Sequence, residues 1–223
     1  MTENTSIEYG TQKENTLLPI LHHAGFSDGK KRLCRDWLGM EISYGERISL
    51  SKKNSATIYM RDKDGKTEEK VFAEAMENLK KQDVYLVPMD FAISALATDT
   101  AGQLTINFKE AGMPDIFHME EDAVRQVSLP LYTLAFEMPV NAASVILRED
   151  VLEKAAELFG ESFAVLPSSC HEVLLLPQSH IQSTERVNNM VTEVNTQEVS
   201  PEEMLLGHAL FYDKEKKELS ALV

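Results

Sequence analysis

Two short apolar runs restrict the fold more than anything else in the chain. Phe163-Ala164-Val165-Leu166 and Val173-Leu174-Leu175-Leu176 are apolar at every position, and the polar segment Pro167-Ser168-Ser169-Cys170-His171-Glu172 joins them. Successive side chains of a strand point to opposite faces, so uninterrupted apolar runs of this length belong to strands covered on both sides. The first cover comes from just upstream. Val151, Leu152, Ala155, Ala156, Leu158 and Phe159 recur with the helical period, Glu149 and Asp150 put negative charge in the first turn, and Gly160 supplies a left-handed exit. Before that helix, Ala142 to Leu147 has β-branched Val145 and Ile146 at its centre and reads as another strand, which makes a central β-α-β unit. Each large side chain buried there contributes roughly 1.5 to 3 kcal/mol before entropy. The unit is therefore core.

The rest of the chain alternates short elements. Leu17, Leu18, Ile20 and Leu21 within Asn15 to His23 suit a short helix with Pro19 in its first turn, and Leu33, Trp37 and Leu38 suit a second one starting near Lys30, with Cys34 on it. Arg47 to Leu50 and Ala56 to Met60 read as strands. Thr67 is an N-cap for a helix whose Val71, Phe72, Ala75, Met76 and Leu79 form one apolar face as far as Lys81. Val84 to Val87 is a strand before Pro88. Phe91 to Ala97 and Gln103 to Phe108 suggest a hairpin, Gly112 to Asp115 a loop, and Met119 to Val127 a short helix. Near the C-terminus, Val187, Met190, Val191 and Val194 make an i, i+3, i+4, i+7 stripe on a helix capped by Ser183 or Thr184. Ser200-Pro201-Glu202-Glu203 has the residues of a second helix start, ended by Gly207, and His208 to Tyr212 with Glu218 to Leu222 closes the chain as a hairpin. The expected class is α+β, a mixed sheet with antiparallel hairpins and helices packed on it.

A chain of 223 residues buries enough surface for a real core, arranged as one continuous domain over 15–223 or as two regions, 15–130 and 131–223, meeting near Pro130 behind a loose stretch 1–14. The polar N-terminal residues carry no apolar segment of the kind that directs secretion or membrane insertion. With two widely separated cysteines, Cys34 and Cys170, the expected setting is a reducing cytoplasm without disulfides. A formal charge of −14 repels nucleic-acid phosphates, and no apolar run is long enough to span a bilayer; the charge fits an acidic surface that keeps the protein in solution, and equally offers acidic residues such as Glu120, Glu121, Asp122, Glu202 and Glu203 to a basic protein partner.

Catalytic chemistry has one candidate location. Ser168, Ser169, His171 and Glu172 place hydroxyls, a base and an acid within five residues, the minimum for a small hydrolase or transferase. No GxSxG elbow surrounds them, and the second histidine of a zinc protease motif is replaced by Leu175. Cys170 and His171 are sequence neighbours whose side chains diverge on an extended chain, so they meet only if the segment turns tightly. The architectural alternative is serines closing a turn between two buried strands, with His171 on a backbone group and Glu172 paired across the sheet. His22, His23, His118, His180 and His208 have no metal-ligand spacing, and no glycine-rich phosphate loop occurs, so neither metal nor cofactor is expected.

Leu166-Pro167-Ser168-Ser169-Cys170-His171-Glu172-Val173, with the helix before it and Pro177 after it, resembles the signature of an uncharacterised bacterial family known only as a domain of unknown function, common in anaerobic gut bacteria and their mobile elements. The resemblance continues through Val191 to Asn195 and Val199 to Glu203 to the strand near Tyr212, about the last two fifths of the chain. It implies an aliphatic residue at the Cys170 position, hence a packing role there, and brings no activity or cofactor with it. Together these readings give a non-enzymatic accessory protein of a mobile element whose acidic surface engages a basic partner, such as a nucleic-acid-processing or defence enzyme that it inhibits. The Ser168 to Glu172 hydrolase is the second reading.

Overall fold

The computed structural model describes residues 16–27, 29, 31–49, 55–61, 65–92, 107–118, 130–137, 139–167, 169–197 and 199–222. They form an α+β fold with two antiparallel sheets.

The smaller sheet holds β1 (Leu17–His23), β2 (Cys34–Trp37), β3 (Met40–Ser49) and β4 (Ser55–Tyr59). β3 is its spine, pairing with β1 along one side and with β2 and then β4 along the other. Both segments expected to be helical before residue 40 are thus strands. Leu17, Ile20 and Leu21 fit either period, but seven consecutive cross-strand pairs from Leu17↔Glu46 to His23↔Met40 fix the extended form. Pro19 is accommodated because β1 is an edge strand. Helix α1 (Glu68–Leu79) buries Val71, Ala75 and Leu79 against the face of this sheet that carries Leu17, Leu21, Met40, Ile42 and Tyr44. Thr67 takes the extended N-cap conformation, as its sequence position suggests.

The larger sheet runs in the order β10-β9-β7-β8-β6-β5, with β5 (Val84–Pro88), β6 (Tyr132–Phe136), β7 (Phe163–Leu166), β8 (Val173–Pro177), β9 (Leu210–Asp213) and β10 (Glu218–Ala221). β6 and β7 each pair antiparallel to β8, so they run parallel to one another with β8 inserted between them. Helix α2 (Glu149–Phe159) lies between them in sequence, and Gly160 leaves it with φ 76°. The β-α-β unit therefore exists in split form, and its first strand is Tyr132–Phe136. Ala142–Leu147, read as a strand from its β-branched centre, is a 3-10 helix.

Strand β7 shows how the sheet is covered. Phe163 and Val165 join a core that includes Val151, Leu152, Ala155 and Ala156 of α2 and the α1 side of the small sheet. Ala164 and Leu166 instead join Val187 and Val191 of helix α3 (Thr184–Gln197) on the opposite face. Both faces are dry, as the uninterrupted apolar runs require. Ser183 accepts the Arg186 N–H through its hydroxyl at 3.1 Å and is the α3 cap.

Two further expectations change. Residues 201–203 make a turn and Met204 an isolated bridge with Ser169, so no helix follows Ser200. Residues 89–92 are helical, and Asn107 and Phe108 lie outside any strand; the remainder of the expected 91–108 hairpin, like the Met119 to Val127 helix, lies outside the described residues.

Candidate functional site

The polar segment between β7 and β8 is a tight knot, and its backbone groups serve two other pieces of chain. The carbonyls of His171 and Cys170 accept the N–H groups of Ala142 and Ala143 at 3.1 Å each, which satisfies the first donors of the 3-10 helix. From the other side, the Cys170 N–H donates to the Glu203 carbonyl at 2.9 Å and Leu206 N–H to the Pro167 carbonyl at 3.4 Å. The loop thereby joins residues 141–147 to residues 200–206.

Its side chains complete the junction. The Asn141 N–H donates to His171 Nδ1 at 3.2 Å, and because a backbone N–H can only donate, Nδ1 must be the acceptor nitrogen. The ring proton then sits on Nε2, which donates to Glu203 Oε1 at 3.1 Å. The Ser200 hydroxyl donates to Glu203 Oε2 at 2.8 Å, so both carboxylate oxygens of Glu203 are used inside the fold. The bond from His171, then that from Ser200, holds the Glu203 carboxyl below the usual range. Ser169 donates its hydroxyl to Glu172 Oε1 at 3.2 Å and accepts the His171 N–H at 3.0 Å. Burial pushes the Glu172 carboxyl up.

This geometry bears directly on catalysis. A serine nucleophile needs an imidazole nitrogen open to accept its proton. Here Ser169 faces Glu172, and both nitrogens of His171 are engaged elsewhere. Cys170 is 5% exposed, and its thiol is pushed up to about 12, first by burial and then by the charges of Glu203 and Glu172, so no thiolate forms at neutral pH. Of the acidic binding candidates, Glu202 is exposed and Glu203 is committed internally. Ser168, Glu120, Glu121 and Asp122 lie outside the described residues. Among the described residues no group of three or more His, Cys, Asp or Glu side chains is arranged to hold a metal ion, and no helix is long and apolar enough to cross a membrane.

Two polar assemblies escaped the sequence reading. Glu68 at the start of α1 receives a bidentate pair from Arg35, Nε at 2.7 Å and Nη2 at 2.6 Å, together with the phenol of fully buried Tyr44. Arg35 also lies 3.7 Å over the ring of Phe72. The second assembly occupies the opposite face of the small sheet, where Glu41 and Ser43 are buried and Arg32 stacks on Tyr59 and Phe26 at 4.1 and 4.5 Å. Glu41 Oε2 accepts the Ser27 N–H at 3.3 Å, while Glu41 Oε1, Ser43 Oγ and Arg32 Nη1 are buried without a hydrogen-bond partner among the described residues. The strict alternation of Met40-Glu41-Ile42-Ser43-Tyr44 was the signal that could have revealed both.

The fold and the knot together define an antiparallel α+β protein whose most motif-like segment fastens distant parts of the chain. The family described as "Family of unknown function (DUF5688)" matches residues 30–214, and the chain belongs to it. The matched span takes in strands of both sheets and reaches well beyond the last two fifths of the chain. No curated protein and no solved structure matches the chain.

Proposed function

We propose that this protein is a non-enzymatic binding protein whose acidic surface engages a basic protein partner. The observation that carries the reading is the distribution of uncompensated carboxylates. Glu69 on α1, Glu149 and Glu157 on α2, Glu185 and Glu193 on α3, and Glu202 beyond it are all exposed, and none forms an ion pair among the described residues. In a chain of net charge −14, such a surface raises the encounter rate with cationic proteins and repels phosphate backbones. The fuller form of the proposal is a cytoplasmic accessory factor of a bacterial mobile element, with the Leu166 to Val173 motif as its family signature. The partner in that form is a nucleic-acid-processing or defence enzyme whose basic groove the protein covers.

A hydrolase at Ser169, His171 and Glu172 has less support, because no imidazole nitrogen is open to Ser169. Affinity capture with the purified protein tests the leading reading when paired with charge reversal. A specific basic partner retained at low salt, released at high salt, and lost with Glu149→Lys and Glu157→Lys supports it. Absence of any salt-sensitive partner, or retention by the reversed surface, removes it.

A further inference from the structure

A cavity of about 480 Å³ opens where the small sheet meets the end of β6, well within the size range of small-ligand sites. Its apolar wall comes from Leu18, Ile20, Phe136 and Val140. Gly45 lies in the same lining, and a Cβ there would come within 2.5 Å of Thr57 Cγ2 and 2.9 Å of Ile20 Cδ1, so a glycine is what allows these chains to close up around it. Thr57 and Asn141, whose side chains bond at 3.3 Å, add a polar edge, and Asn141 is held left-handed at φ 54°. Asparagine is among the few non-glycine residues that tolerate this conformation, which here turns its side chain amide onto Thr57.

The charged wall sets the ligand chemistry. The pairing Val84↔Phe136 continues with the Glu137 N–H donating to the Asp83 carbonyl at 3.2 Å, so Asp83 and Glu137 are cross-strand neighbours and both line the cavity. Like charges in this position repel. Neither carboxylate makes an ion pair among the described residues, although Lys81 lines the same cavity; the lysine ammonium sits on Asn78 Oδ1 at 3.3 Å. Glu137 accepts the Asn107 amide N–H on one oxygen at 2.9 Å, and its other oxygen has no hydrogen bond among the described residues.

We infer that this cavity binds a small zwitterion, an α-amino acid with an apolar side chain. Its ammonium bridges Asp83 and Glu137, its carboxylate meets Lys81, and its side chain lies on Leu18, Ile20, Phe136 and Val140. A polyamine would meet Lys81 with like charge, and a simple carboxylic acid would meet two carboxylates. The inference is independent of any protein partner.

Calorimetric titration of the full chain with leucine, isoleucine, valine and phenylalanine tests it, with isoamylamine (leucine without its carboxylate) and 4-methylpentanoate (leucine without its amino group) as half-probes. Saturable binding of at least one amino acid is expected, with each half-probe weaker by about tenfold or more, the cost of one lost charge-assisted contact. Asp83→Asn should weaken the amino acid by a similar factor, and Lys81→Ala should narrow the gap between leucine and isoamylamine. Thermal denaturation without ligand supplies a separate readout: Asp83→Asn should raise the melting temperature by relieving the repulsion. Failure of all four amino acids, equal binding of isoamylamine and leucine by the unmodified protein, or a lowered melting temperature for ligand-free Asp83→Asn overturns the inference.

Discussion

The two sheets of this protein are buried by different means. The larger one is dry on both faces at its centre, with α2 behind Phe163 and Val165 and α3 behind Ala164 and Leu166, while its outer strand β10 is largely exposed. The smaller one is dry only where α1 covers Met40, Ile42 and Tyr44; its other face buries Glu41, Ser43 and one nitrogen of the half-buried Arg32. Apolar burial is roughly proportional to area and indifferent to direction, whereas a buried polar group helps only when its partner is correctly placed. The large sheet should accordingly lose stability in proportion to volume removed, and the small sheet through a few specific contacts.

The largest effect belongs to the dry sheet. Phe163 is fully buried, stacks on Tyr212 at 5.1 Å and meets Phe159 edge-on at 5.7 Å. Phe163→Ala should cost about 3 to 5 kcal/mol in urea denaturation, the usual range for emptying an aromatic site in a core. A loss below about 1 kcal/mol would show that the sheet collapses around the void and is not tightly packed.

On the α1 side of the small sheet, Glu68 of the helix gathers three side-chain hydrogen bonds, two from Arg35 and one from Tyr44. Glu68→Gln should cost about 2 kcal/mol at neutral pH, because it removes the charge that Arg35 and Tyr44 were arranged to meet. Burial raises the Glu68 carboxyl, but the bonds from Arg35 and Tyr44 outweigh it and leave the folded value below the ordinary one. A depressed carboxyl stabilises the fold above its unfolded value, near 4.3, and that contribution disappears as pH falls through the folded value. The gap between native and Glu68→Gln proteins should therefore be widest at neutral pH and close in acid. A gap independent of pH would mean that the pair acts through shape alone.

The knot should show a smaller effect than either. His171→Ala leaves the Asn141 N–H without its acceptor and frees Glu203, at a cost of about 1 to 2 kcal/mol. Amide exchange should accelerate selectively at Asn141, Ala142 and Ala143, where the 3-10 helix begins. Uniform acceleration over the whole sheet would instead make the knot part of the global core.

The same contrast explains what could be read in advance. Phe163 to Leu166, Val173 to Leu176, α1, α2 and α3 announced themselves because their patterns are local and their partners are simply apolar surface. Leu17 to His23 was misread because four aliphatic residues in five positions suit either period, and only pairing with Met40 to Glu46 decides. Ala142 to Leu147 became helical because its first N–H groups find carbonyls nearly thirty residues away, at Cys170 and His171. Ser200 to Glu203 has the residues of a helix start, yet the Glu203 carbonyl is taken by the Cys170 N–H and Met204 by the bridge to Ser169. Each error lies where a distant contact overrides local preference. The serine, histidine and acid of the knot were legible as residues, but the partner of His171 proved to be Glu203, which no spacing rule pairs with it.

The smallest effect tests the polar face most sharply. Ser43 is fully buried, and its hydroxyl finds no hydrogen-bond partner among the described residues. A buried hydroxyl in that condition has lost its hydration and gained nothing, so Ser43→Ala should leave stability within about 0.5 kcal/mol of the native value or raise it slightly. The neighbouring Glu41→Gln should behave differently, since Oε2 accepts the Ser27 N–H and the charge lies on the face that also carries Arg32. If Ser43→Ala costs as much as a broken hydrogen bond, the hydroxyl is bound in solution. The polar face would then be stabilised contact by contact in the same way as the Glu68 junction on the other side of the sheet.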